Sequence, residues 1–118
     1  MLISTAMMLA WLQLYSWAYG VEYHFARAVA TIESGMKWGP LNNRGTLAGP
    51  MGIRRSCCIE RLCIDPIMPQ DNIRIGVRAL RGPKIRALHR YNPKWREDHY
   101  QQDVMRLWRQ YKREERIK

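Results

Sequence analysis

Apolar residues recur at helical spacing through most of this chain, and no stretch alternates with period two long enough to predict a strand. Residues 3–18, rich in Met, Leu, Ala and Trp, predict a helix that Gly20 breaks. Glu22 to Ser34 predict a second, with Phe25, Val29 and Ile32 at i, i+4 and i+7 and Gly35 ending the run. Residues 35–50 concentrate glycine, proline and asparagine, a loop composition. A short helical turn is expected at Met51 to Arg55, and a small hairpin inside 40–65 is compatible with the pattern. Asp65-Pro66 and Pro69 mark a break. Gln70 to Arg81 predict a helix with Ile73, Val77 and Leu80 inward and Gly76 beside them, where a neighbour can approach closely. Gly82-Pro83 punctuates, Lys84 to Tyr91 form a short helix, and Asn92-Pro93 stops it. The last helix runs from about Arg96 to Lys112, burying Tyr100, Val104, Leu107, Trp108 and Tyr111, and a charged basic tail, 112–118, follows. The fold class is mainly α, in a single domain over 1–118.

The first twenty-one residues carry no charge; Glu22 is the first ionised side chain. About twenty uncharged residues are long enough to span a bilayer. Ser4, Thr5, Gln13, Tyr15, Ser16 and Tyr19 interrupt the run, and the basic flank of a signal peptide is missing. A packing helix is the favoured reading and an export signal or anchor the alternative; a membrane is not an expected partner.

Charge narrows the partner. The 118 residues hold 20 Lys+Arg against 10 Asp+Glu, a net charge of +10, which favours an anionic surface or polymer. With 47% hydrophobic residues the chain is no disordered basic tail. Its length excludes a nucleotide-binding domain joined to a separate substrate domain. Cys57, Cys58 and Cys63 are too few and too close for a disulfide framework, and their spacing matches no common zinc site. Reduced thiols or one local bridge from Cys63 both fit. No metal or cofactor is expected. Specific nucleic-acid binding is disfavoured: the aromatics of the last helix lie on its apolar stripe, and no helix-turn-helix or zinc motif occurs.

Among the ten carboxylates Glu33 stands out. It falls one turn after Val29, about forty degrees around the helix axis, at the edge of the apolar stripe and just before the Gly-rich loop. A carboxylate half desolvated by a core face can hold a proton near neutral pH and donate it, as a glycosidase acid must.

The run Ala28-Val-Ala-Thr-Ile-Glu33-Ser34-Gly35, preceded by Tyr19-Gly20-Val21, resembles the Glu-Ser signature of the soluble lytic transglycosylase and goose-type lysozyme superfamily. Ala48-Gly49-Pro50-Met51-Gly52-Ile53 is similar to the family's Gly-x-Met-Gly-Leu segment. Asn72-Ile73-x-x-Gly76-x-x-Ala79-Leu80 and Ala87-Leu88-x-x-Tyr91-Asn92 resemble its two later motifs, and Tyr100 with Val104 fits its closing helix. The ordered set covers roughly 15–111 and is far more specific than any member.

The resemblance implies a compact lysozyme-like helical domain with the Gly-rich loop at a cleft. It implies that Glu33 is the single catalytic acid/base and that Ser34 orients the substrate or the Glu. Met51, Gly52 and Ile53 would line the cleft, Tyr91 would point its hydroxyl toward Glu33, and Asn92 would brace that loop. The family continues Gly-Leu-Met-Gln where this chain reads Gly52-Ile53-Arg54-Arg55, so Arg55 stands where a substrate-contacting glutamine would. The implied reaction cleaves peptidoglycan between N-acetylmuramic acid and N-acetylglucosamine and leaves anhydromuramyl ends, acting in the periplasm or cell wall. A lysozyme-like hydrolase would need a base to activate water, and Asp65 and Asp71 are the nearest candidates. A bacteriophage particle is a natural home, with virion or tail proteins as partners, because entry through the wall needs local cutting without secretion. A non-catalytic structural part of such a particle is the remaining alternative.

Overall fold

The computed structural model describes residues 4–35, 47–48, 51, 53–54, 69–92 and 99–117. Helix α1, Thr5–Tyr19, starts where the Ser4 side chain accepts the Met7 N–H at 3.1 Å, satisfying one of the donors a helix start leaves open. Helix α2, Tyr23–Ser34, follows after Gly20. Gly20 and Gly35 end the two helices in the left-handed region, at φ 69° and 68°, which other residues enter only with strain. Two residues a side, β1 (Leu47–Ala48) and β2 (Ile53–Arg54) pair antiparallel, Leu47 opposite Arg54 and Ala48 opposite Ile53. Helices α3 (Pro69–Ala79), α4 (Lys84–Tyr91) and α5 (Tyr100–Ile117) complete a compact, mainly helical fold.

Helix α1 packs on α3 and α2, α2 lies along α5, and α4 rests on α5. The core they share holds Met8 and Leu12 of α1, Phe25 and Val29 of α2, and Met51. Ile73, Val77 and Leu80 enter it from α3 and the turn after it, Leu88 from α4, and Val104 from α5. Each such side chain removed fully from water contributes about 1.5–3 kcal/mol. Ala26, Ala28 and Ala30 are also fully buried, so α2 sits close against its neighbours. A polar staple joins the starts of α2 and α4 to the middle of α5. Trp108 Nε1 donates to Glu22 Oε1 at 3.0 Å, and Lys84 Nζ lies 3.4 Å from Glu22 Oε2 and 5.1 Å from the Trp108 ring.

The structure corrects three expectations and refines a fourth. Ile32 shares the azimuth of Phe25 and Val29 but is 38% exposed, because the core under α2 ends at Ala30. Ile53 and Arg54 form a short strand paired with Ala48 and Leu47, not a helical turn. Residues 112–117 continue α5 and are not a separate tail. Helix α1 is a packing helix on one side only: Met8, Leu12 and Ser16 are buried, whereas Met7, Leu14 and Trp17 are exposed. Among the described residues no helix is long and apolar enough to cross a membrane.

Candidate active site

The last turn of α2 carries Glu33, half-buried beside the face that holds Val29 and Ala30 in the core. At the start of α5, buried Tyr100 directs its hydroxyl at this carboxylate and donates to Glu33 Oε2 at 3.5 Å, the long end of hydrogen-bond distance. Packing of α2 along α5 brings together groups sixty-seven positions apart in sequence. A phenol donor at this distance biases where the carboxylate's oxygens lie.

Ser34, next along the helix, turns back on it: Oγ donates to the Ala30 carbonyl at 3.1 Å, so its proton serves α2. Tyr91 also differs from expectation. Its hydroxyl proton goes to the Met51 carbonyl oxygen, and the phenol that donates to Glu33 is that of Tyr100. Asn92 closes α4, its backbone N–H donating to the Leu88 carbonyl at 3.0 Å. The backbone of Ile53 pairs with Ala48. Gly52, Arg55, the glycine-rich segment 36–46, Asp65 and all three cysteines lie outside the described residues. Asp71 is in the first turn of α3, 3.6 Å from Arg74.

A second cluster gathers on Met51. It is fully buried, and both polar groups of its backbone are engaged: the N–H donates to Asn72 Oδ1 at 2.9 Å, and the carbonyl accepts from Tyr91. Its side chain lies over Gly76, where a Cβ would meet Met51 Cβ at 2.5 Å and Cγ at 2.6 Å. Segments around 51, 72–76 and 91 thus converge on one residue. The sequence offered a signal for Asn72, a fully buried amide in an otherwise apolar stripe, since such a group needs a partner. Asn72→Ala removes that partner and leaves the Met51 N–H buried and unpaired. A loss of about 1–3 kcal/mol is expected in urea unfolding.

The described residues also form a groove of about 360 Å³ between α1, α2 and α5, lined by Leu9, Tyr23, His24, Arg27, Tyr111 and the Glu114–Glu115 pair. None of the residues expected from the sequence lines it. The Arg27 guanidinium stacks 3.7 Å from the centre of the Tyr111 ring, and His24 Nε2 lies 2.7 Å from Glu115 Oε2. Burial pushes the Tyr23 phenol above its ordinary value; Arg27 opposes this, and Tyr111 and Glu115 add to it. A folded-state value above the unfolded one means that stability is fully present below about pH 10 and lost as pH rises through the folded value. Tyr23→Phe is therefore expected to flatten the alkaline arm of a stability profile measured by urea melts between about pH 9 and 11.

Among the described residues no three His, Cys, Asp or Glu side chains are grouped to hold a metal ion. No family model matches the chain, and no curated protein or solved structure matches it significantly.

Proposed function

We propose that this protein is a peptidoglycan lytic transglycosylase in which Glu33 is the one acid/base. The observation that carries the reading is the half-buried Glu33 carboxylate at a helix end, held by the buried Tyr100 hydroxyl. The meeting of Met51, Asn72, Gly76 and Tyr91 supports it, because these residues come from three of the four segments that resemble the family.

In this mechanism protonated Glu33 gives its proton to the glycosidic oxygen between N-acetylmuramic acid and N-acetylglucosamine. That bond breaks with its electron pair on the departing sugar, and positive charge develops at the anomeric carbon. The substrate's own acetamido group supports the charge. Glu33, now a carboxylate, takes the proton of the muramic acid primary hydroxyl, whose oxygen closes on the anomeric carbon. The product is an anhydromuramyl end. Water is neither consumed nor released, and no second carboxylate is required. Tyr100 keeps the carboxylate aimed through both proton transfers.

Product analysis tests the reaction. The full chain is incubated with purified peptidoglycan sacculi and the released fragments are weighed by mass spectrometry. Anhydromuramyl fragments are expected. Fragments heavier by one water would assign a lysozyme-like hydrolase, and no release at all would leave the fold without this activity.

A further inference from the structure

The outer face of α1 is apolar and exposed. At 100° per residue, Met7, Ala10, Leu14, Trp17 and Ala18 fall within roughly a 100° arc of the helix. All five are exposed, Trp17 at 83%, Leu14 at 51% and Met7 at 44%. No charged side chain stands anywhere on α1, while Met8, Leu12 and Ser16 on its opposite side are in the core. Among the described residues nothing packs against this stripe, and contiguous apolar stripes of this kind mark contact surfaces.

Charge chooses between occupants. The chain carries +10, so two copies approaching through α1 repel each other, and an anionic surface attracts either one. Helix α3, which packs on α1 and reaches Tyr15 through Gln70 Nε2 at 2.7 Å, bears exposed Arg78. The end of α5, whose Glu114 and Glu115 share a groove with Leu9, bears exposed Arg113 and Arg116. A tryptophan at the edge of a leucine and methionine stripe suits the boundary between headgroups and acyl chains, where an amphipathic ring is favoured.

We infer that the outer face of α1 docks on an anionic lipid bilayer. Trp17, Leu14 and Met7 enter the headgroup boundary while the net positive charge of the chain draws it to the lipid phosphates. The helix lies on the membrane and does not cross it, consistent with its 15 residues. This inference stands independently of the reaction at Glu33.

Vesicle sedimentation with the full chain tests it, using phosphatidylcholine vesicles with and without equimolar phosphatidylglycerol. Binding to the anionic vesicles alone is expected, weakening as salt is raised. Leu14→Gln combined with Trp17→Gln should bind at least ~10-fold less, equivalent to about 1.4 kcal/mol of lost apolar contact. Ala10→Glu, which puts a carboxylate in the same stripe, should do the same with an unchanged circular dichroism spectrum. Absence of vesicle binding overturns the inference. So does equal binding by both variants, which would show charge alone at work. A wild-type dimer that both variants abolish would give the face to a second copy of the chain.

Discussion

Replacing Gly76 by alanine is expected to destabilise the protein by about 2 kcal/mol or more, although the same change in an open helix would be favourable. Helix propensity argues for alanine: it gains about 0.8–1 kcal/mol over glycine in a helix interior. Packing argues against it with greater force. The added Cβ would lie 2.5 Å from Met51 Cβ, 2.6 Å from Cγ and 3.0 Å from Cε. A long side chain commonly escapes such a clash by changing rotamer. Met51 cannot, because the nearest clash is with its Cβ, and that atom follows a backbone tied by Asn72 on one side and Tyr91 on the other. Either α3 withdraws from the core or the Met51 turn breaks its hydrogen bonds. Overpacking of this kind costs about 1–3 kcal/mol, and the loss of one buried hydrogen bond adds to it. A fall in melting temperature on the order of 10 °C is the expected reading in a thermal scan. An alanine variant as stable as the parent would mean that Met51 does not sit over α3.

The apolar period made most of the fold legible in the sequence. Three helical stretches could be read from their stripes and two more from composition and the breaks that bound them, and Gly20 and Gly35 end their helices in the left-handed conformation that suits glycine. Where the period carried no information the reading failed. Residues 112–117 contain mostly charged side chains and look like a tail, yet Lys, Arg and Glu are good helix formers, and His24 holds Glu115 from α2. The two-residue pair of Leu47–Ala48 with Ile53–Arg54 is too short to alternate, so the sequence allowed a small hairpin inside 40–65 without placing it.

For the site, spacing placed Glu33 correctly at the edge of a buried face. It could not say which tyrosine reaches it. Tyr91 ends a short helix and Tyr100 begins a long one, and both sit next to apolar residues. One clue did exist. Tyr100 opens a stripe continued by Val104, Leu107 and Trp108, and a hydroxyl placed at the buried start of such a stripe must find a polar partner. The staple of Glu22, Lys84 and Trp108 was equally hidden, because it depends on three helices meeting and on no local pattern.

Glu33→Gln should lower the rate of glycan cleavage by at least ~10²-fold while leaving the fold intact. Glutamine has the size of glutamate, and its side-chain carbonyl can still accept from the Tyr100 hydroxyl, so the contact at 3.5 Å can persist. What it lacks is an acidic proton for the glycosidic oxygen and a base to take one from the primary hydroxyl. Both halves of the proposed reaction run through that one group, so no partial mechanism survives. Tyr100→Phe retains the buried ring and removes only the donor; a loss of about tenfold is expected, the scale of one hydrogen bond to a charged group. Glu22→Gln supplies the control, since Glu22 also belongs to the start of α2 but pairs with Lys84 and Trp108, far along the helix from Glu33. It should weaken stability slightly and leave cleavage unchanged. The measurement is initial rate on purified sacculi for the four proteins at one concentration. If the Glu33 variant keeps more than about a tenth of the parent rate, the proton is supplied by another residue, whatever the product proves to be.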